Sequence, residues 1–238
     1  MPNRKSGVKP RMTFGLYHLL AFFGGIALCL HPSPAAADVL FSDLKLPPDV
    51  YDDFGYGIGG GGQEWASLFA VTGVANVGYA VSQIDLALSY GSGPNSFFVS
   101  IAADQDGVPG ALIPNSLLTI PATTGACCAA LLTIADIQNP ILLTGQGEYF
   151  MVVAPTNNAT GEWFKNDAGV EGEYVLNHTN NGGVDWTNPA APGEEFTLPA
   201  FDVIGSAVPE PSSLTLVETV VVLLCVALRR ARSTTAVP

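Results

Sequence analysis

The chain has 238 residues and a formal net charge of −12, and 19 of its 21 acidic residues lie between residues 38 and 207. Lys45 and Lys165 are the only lysine or arginine residues of that segment, so it carries a formal charge of −17. A surface this acidic repels phosphate backbones and anionic lipid, which argues against nucleic-acid binding. The segment is long enough for one domain with its own core.

The N-terminus has the three-part pattern of a secretory signal peptide. Basic residues over 4–11 precede an apolar run over 12–30, which is followed by a proline-rich break and an alanine triplet ending at Ala37. Small residues at this place suit a signal peptidase. We therefore predict a signal peptide over residues 1–37, with cleavage between Ala37 and Asp38.

The alternatives to a cleaved signal peptide are a retained transmembrane helix and a lipoprotein. A retained transmembrane helix conflicts with the proline-rich break and the alanine triplet. Lipidation at Cys29 conflicts with Leu28, which stands where a small residue is wanted.

The middle of the chain, residues 38–207, has the composition of a β domain. Short runs rich in β-branched and aromatic residues are separated by Gly, Pro, Asn, Ser and Thr, and helix signals are weak. The predicted strands cover 38–42, 65–72, 81–90, 96–102, 117–120, 131–134, 148–154, 173–178 and 200–204. This spacing predicts an antiparallel β-sandwich of jelly-roll kind, with a β-barrel as the alternative. We find no fixed repeat period, which argues against a solenoid.

Two glycine-containing segments raise the question of ligand sites. The stretch 55–62 lacks the Gly-Lys-Ser/Thr ending of a phosphate-binding loop and precedes no helix signal, so we predict a flexible surface loop. The segment 104–110 predicts a tight turn in which glycine supplies the positive φ. A Ca²⁺ site at Asp104 and Asp106 is the weaker alternative, because the rest of an EF-hand loop is missing. No other cofactor is expected.

No catalytic set of residues stands out. Cys127 and Cys128 are adjacent, so a strained bridge, an intermolecular bond and two free thiols all stay open. His178 is the only histidine of the predicted mature domain and has no Gly-x-Ser-x-Gly elbow to pair with. We therefore predict a non-enzymatic protein. A glycoside hydrolase with paired carboxylates is a lower alternative.

Two tryptophans are candidates for a glycan platform. Trp163 and Trp186 both lie in polar sequence contexts with a nearby acidic residue, and we predict that both are exposed. An exposed indole beside Asp, Asn or Glu is typical of sugar-binding β domains, although packing at a strand edge is the more common role of tryptophan.

The C-terminus also has three parts. A turn-forming Pro209-Glu210-Pro211 motif precedes an apolar run over 214–228, in which Glu218 is an acidic interruption. As a helix this run spans only about 22 Å, against a bilayer core of about 30 Å. A cluster of basic residues closes the chain and is expected to stay on the cytoplasmic side: Arg229, Arg230 and Arg232.

This order of motif, short apolar run and arginine cluster resembles the PEP-CTERM sorting signal of Gram-negative bacteria. The resemblance implies an exosortase as processing partner and a transient inner-membrane anchor formed by residues 208–238. It also implies delivery to the cell surface or to an extracellular polysaccharide matrix. An unprocessed tail anchor is the alternative.

The segment 38–207 carries a second resemblance. Its turn at 104–110, its opening at 39–41 and its closing stretch at 200–205 resemble the choice-of-anchor domains that often precede such tails. This implies an exported β-sandwich without assigned catalysis. We therefore expect an exported surface or matrix protein, and a carbohydrate-binding module or adhesin is the alternative function.

Overall fold

The structure is a computed structural model, and it describes part of the chain. The described residues are 37–44, 51–59, 63–122, 131–177, 186–187 and 196–208, together with 220, 221 and 224. The chain divides into two compact units, Met1–Ala36 and Ala37–Pro238, of which the first lies wholly outside the described residues. No helix within the described ranges is long and apolar enough to cross a membrane.

Several predictions of the sequence fall outside this description. They concern the signal peptide before Ala37, the Pro209-Glu210-Pro211 motif, the two adjacent cysteines and the terminal arginines. Both residues of the predicted cleavage point are described: Ala37 precedes the first strand, which begins at Asp38.

Between residues 37 and 208 the described part of the chain is all-β, as the sequence predicted, and every strand pairing in it is antiparallel. In chain order its strands are β1 (Asp38–Ser42), β2 (Gly55–Ile58), β3 (Glu64–Ala70), β4 (Gly78–Leu86), β5 (Leu88–Ser92), β6 (Phe97–Gln105), β7 (Val108–Leu112), β8 (Leu118–Ile120), β9 (Leu132–Ala135), β10 (Ile141–Thr144), β11 (Glu148–Pro155), β12 (Thr160–Phe164), β13 (Glu171–Gly172), β14 (Tyr174–Asn177), β15 (Phe196–Thr197) and β16 (Phe201–Ala207).

Two larger sheets and two small ones contain these strands. The first sheet has the order β1-β16-β4, and both β9 and β10 pair with β4. The second sheet has the order β14-β3-β11-β6, and both β7 and β8 pair with β6. A three-stranded sheet has the order β2-β12-β5, and β13 pairs with β15.

One hydrophobic cluster takes side chains from both larger sheets. Phe69 of the second sheet lies 5.6 Å from Phe201 of the first, edge to face, measured between ring centroids. Trp163 of the three-stranded sheet lies 5.7 Å from the same Phe201. Each large apolar side chain buried in this way stabilises the fold by about 1.5 to 3 kcal/mol. The core is therefore shared between the sheets.

The predicted strand 81–90 is interrupted. Its alternating side chains are buried as expected, but the chain leaves the first sheet at Ala87 and continues in the three-stranded sheet as β5. The backbone of Ala87 donates to Ala200 and accepts from Phe164, so its hydrogen bonds go to two different neighbours. The prediction of one continuous strand was wrong, because the alternation of the apolar residues Ile84, Leu86 and Leu88 continues across the switch and does not reveal it.

The predicted glycine-rich loop is partly a strand. Gly55–Ile58 pairs with β12, whereas residues 60–62 lie outside the described ranges. A Cβ at Gly55 would lie 2.5 Å from the carbonyl oxygen of Trp163, so the backbones approach too closely for any side chain. Gly55 therefore permits the close pairing of β2 with β12. Composition alone does not distinguish a glycine needed for such an approach from a glycine in a flexible loop.

The predicted turn in the segment 104–110 is confirmed. Strands β6 and β7 form a hairpin in which Gln105 pairs with Val108, and Asp106 and Gly107 both have positive φ, 56° and 81°. That conformation is the type I′ turn, for which Asp-Gly is a preferred pair. The Oδ1 atom of Asp104 accepts a hydrogen bond from the Gly107 N–H at 2.9 Å.

Replacing Gly107 by alanine tests this turn. The added Cβ meets no backbone, but an L side chain is disfavoured at φ 81°, so we expect a loss of about 1 kcal/mol in the free energy of unfolding. Gly78→Ala is the matched control, because Gly78 lies in a strand without positive φ and with open space at its Cβ. Urea unfolding of both variants measures the difference; equal losses would contradict the turn assignment.

Candidate functional site: a groove on the outer face of the second sheet

The second sheet carries a distinct set of side chains on the face that points away from the shared core. Strand register aligns them in rows across the strands. One row contains Asn177 of β14, Glu64 of β3, and Ala154 and Phe98 of β11 and β6. The next row includes Ala66, Val152 and Ser100. Alternation along each strand thus collects small, polar and apolar side chains on one surface.

These side chains form a groove of about 340 Å³, which we call the outer groove. Ser100, Ala102, Val152 and Ala154 lie along it from β6 and β11. Its described lining also includes Glu64, Phe98, Pro109, Gly110, Leu112, Leu117, Pro155 and Trp186. A volume of this size lies in the range of small-ligand sites.

The apolar lining of the outer groove is partly open to solvent. Phe98 is 38 % exposed, Leu112 is 51 % exposed and Leu117 is 57 % exposed. Such residues are unremarkable when scattered, but here they line one concavity. The groove therefore offers an apolar contact surface to a ligand.

Trp186 lines the outer groove on the side of β14. Its neighbour Thr187 exchanges two backbone hydrogen bonds with Leu176, each 2.9 Å long, which fixes the main chain at this point. The Trp186 side chain is half-buried and packs against a small cluster that includes Ala66, Phe150 and Val175. Trp186 is therefore less exposed than predicted, and its role in a glycan platform stays a prediction.

Glu64 brings a carboxyl group to the groove from the first position of β3. Only 5 % of this residue is exposed, and the Nδ2 atom of Asn177 lies 3.4 Å from its Oε2 atom. Burial removes water from the carboxylate and raises the pKa of Glu64 above its ordinary value. Glu64 and Ser100 place polar groups within an otherwise apolar lining.

Trp163 does not belong to this groove, and its predicted exposure is wrong. Its side chain is fully buried, and its Nε1–H donates to the carbonyl oxygen of Ala200 at 3.1 Å. Trp163 lies on β12, the central strand of the three-stranded sheet, and pairs with Tyr56 and Leu88 on the two sides. Thr160, Gly161 and Glu162 before it are only partly buried, and such polar and small residues are also typical of a loop.

Sequence reasoning missed Glu64, Phe98 and Ser100 as members of one site. A usable signal existed in the strand predicted over 96–102, whose apolar residues occupy both alternating positions. Both faces of β6 are indeed covered: Val99 and Ile101 face the shared core, while Ala102 is buried on the outer side. The sheet order decides which strands lie beside β6 and which residues share its outer face. The sequence of β6 alone does not contain that order.

A separate group of carboxyl groups lies on the first sheet. Asp85 and Asp202 are opposite each other on β4 and β16, and Asp43 follows β1. Asp85 accepts hydrogen bonds of 2.6 Å from the side chains of Thr133 and Gln83. Burial, and to a lesser extent the charge of Asp202, raises the pKa of Asp43 to about 8. Among the described residues no group of three or more His, Cys, Asp or Glu side chains is placed to hold a metal ion.

Comparison with known proteins adds no family assignment. No model of a known protein family matches the chain, and no curated protein matches it in sequence.

Proposed function

We propose that this chain is an exported, non-enzymatic surface or matrix protein whose β domain binds polysaccharide in the outer groove. We further propose that the two larger sheets form a jelly-roll-like sandwich, because their side chains share one hydrophobic cluster. The observation that carries the binding proposal is the outer groove itself, with Trp186 and Phe98 as aromatic lining and Glu64 as its carboxyl group.

The chemistry of the outer groove suits a sugar. A pyranose ring has apolar C–H faces and a rim of hydroxyl groups, so it needs apolar contact together with a few hydrogen-bonding groups. Trp186, Phe98 and Leu112 supply the apolar contact, while the Glu64 carboxyl and the Ser100 side chain lie among the lining residues that can bind hydroxyl groups.

Export is supported by the two ends of the sequence. The signal-like pattern before Asp38 directs residues 38–207 out of the cytoplasm, and the Pro209-Glu210-Pro211 tail resembles the PEP-CTERM sorting signal. The strongly acidic composition of the segment suits a protein exposed to water. A protein released beside a polysaccharide matrix would meet the ligand that we propose.

The binding proposal predicts a loss of affinity in Trp186→Ala. A glycan array identifies a polysaccharide ligand of the wild-type domain, and titration with that ligand then measures affinity. We expect the variant to bind at least about tenfold more weakly, because an aromatic anchor is removed. Phe54→Ala is the matched control, since Phe54 is 69 % exposed and is not among the lining residues. A flat array, or equal affinity of wild type and Trp186→Ala, would contradict the proposal; release of reducing ends would contradict a non-enzymatic role.

The export proposal predicts the mature ends of the protein. Fractionation of the native cells, followed by mass spectrometry, should find a mature N-terminus at Asp38 and a protein outside the inner membrane that lacks the arginine tail. Replacing Pro209, Glu210 and Pro211 by alanine should retain the protein in the inner membrane. Retention of the wild-type protein there with its tail intact would rule out the sorting role.

A further inference from the structure

The described lining of the outer groove holds one carboxyl group and no basic side chain. Glu64 is nearly buried, and the Asn177 amide that donates to it at 3.4 Å is electrically neutral. In the described ranges between 37 and 208 the one lysine or arginine is Lys165, whose Nζ atom lies 5.0 Å from the centroid of the Tyr56 ring. Tyr56 belongs to the core cluster and is not among the groove residues.

Among the described lining residues, no basic side chain compensates an ionised carboxyl group at this position. Removing water from a carboxylate is costly unless a hydrogen-bonded cation faces it. The raised pKa of Glu64 reflects that cost, since desolvation by burial is its cause. A ligand that brings a cation to Glu64 offsets this cost through an ion pair, whereas a neutral ligand leaves the charge of the carboxylate uncompensated.

We infer that the outer groove prefers a polysaccharide with free amino groups, a deacetylated hexosamine polymer, whose ammonium group binds the Glu64 carboxylate. This inference rests on the proposed binding of polysaccharide. The charge distribution favours the same ligand, because a segment with a formal charge of −17 attracts polycations and repels anionic chains. Trp186 and Phe98 contact the sugar rings, and Glu64 distinguishes the amine from its acetylated form.

Three oligosaccharides of equal length test the inference: a glucosamine oligomer, its N-acetylated counterpart and a glucose oligomer. Calorimetric titration is done over a pH series, because the amines bind in their protonated form whereas Glu64, whose pKa is raised, binds them in its ionised form. We expect the wild-type domain to bind the glucosamine oligomer at least about tenfold more tightly than the other two, which corresponds to about 1.4 kcal/mol. Raising the salt concentration should weaken the binding of the glucosamine oligomer alone.

Two variants separate Glu64 from the charge of the whole domain. Glu64→Gln is expected to abolish the preference, so that the glucosamine oligomer binds no more tightly than the two neutral oligomers. Glu171→Gln removes the same formal charge from an exposed position on β13, outside the groove lining, and is expected to keep the preference. Circular dichroism confirms that both variants are folded; if Glu64→Gln is not, the wild-type comparison and its salt dependence decide.

The outcomes distinguish this inference from the proposed function. Equal or tighter binding of the acetylated or glucose oligomer would overturn the preference and leave polysaccharide binding in place. A preference that survives in both Glu64→Gln and Glu171→Gln would also overturn it, because domain-wide charge would then be the cause. Binding of none of the three oligomers overturns the inference, while the glycan array decides the proposed function separately.

Discussion

Replacing Trp163 by alanine is expected to lower the free energy of unfolding by about 3 to 5 kcal/mol, the usual cost of removing a large buried aromatic side chain. Trp163 is fully buried between the three-stranded sheet and Phe201 of the first sheet. Its truncation leaves a cavity and also removes one of the two hydrogen bonds to the carbonyl oxygen of Ala200, which keeps the bond from the Ala87 N–H. Denaturant unfolding monitored by circular dichroism measures the loss.

Trp186→Ala is the matched control for that measurement. Trp186 is half-buried and contacts a smaller cluster, so we expect its removal to cost about 1 to 2 kcal/mol while reducing ligand binding. Trp163→Ala should therefore affect stability much more than Trp186→Ala does. Equal losses in the two variants, or a stable Trp163→Ala protein that has lost only binding, would contradict the assignment of Trp163 to the core.

Asp43→Asn is expected to stabilise the protein at alkaline pH and to change it little in acid. Asp43 is 1 % exposed, its Oδ1 atom accepts a 2.6 Å hydrogen bond from the Phe201 N–H, and its Oδ2 atom has no hydrogen-bond partner in the described structure. Asparagine keeps the acceptor for Phe201 and removes the ionisation. The substitution therefore removes only the ionised form of the side chain, which burial disfavours.

The direction of the pH dependence follows from the raised pKa. Burial raises the pKa of Asp43 from 3.8 to about 8, so the folded state holds a proton that the unfolded state releases. The stability contributed by protonated Asp43 is complete below about pH 4 and is lost as pH rises to about 8. By that shift, Asp43→Asn should exceed the wild type in unfolding free energy by on the order of 5 to 6 kcal/mol at pH 9.

Unfolding curves recorded across this pH range test the prediction, with Asp38→Asn as the control because Asp38 is exposed on β1. In Asp43→Asn the free energy of unfolding should still decline with rising pH, but less steeply, since burial also raises the pKa of Asp202 and of Glu64. Parallel pH profiles for the wild type and Asp43→Asn would show that Asp43 does not carry the effect.

The class of the fold was predictable because its signals are local. Strand β1 has the predicted bounds, and β11 differs by one residue at its end, because β-branched and aromatic runs there stand between turn residues. The hairpin at Asp106-Gly107 was predictable for the same reason, since the turn chemistry lies within four residues.

The candidate site was less predictable because it depends on neighbours that are distant in sequence. Glu64, Phe98 and Asn177 share a row only because β3 pairs with both β14 and β11, and β11 pairs with β6. Sequence reasoning identified Trp186 by its residue type, but the same reasoning selected Trp163, which is buried. Burial of an indole follows from sheet order, which periodicity within one strand does not reveal.

The central claim, that polysaccharide binds in the outer groove, is tested most directly by hydrogen exchange with and without the best oligosaccharide ligand. We predict slower exchange in β6, in β11 and around Trp186 when the ligand is bound, and unchanged exchange in β4 and β16 of the first sheet. Protection confined to β4 and β16, or none in β6 and β11 at saturating ligand, would contradict the account.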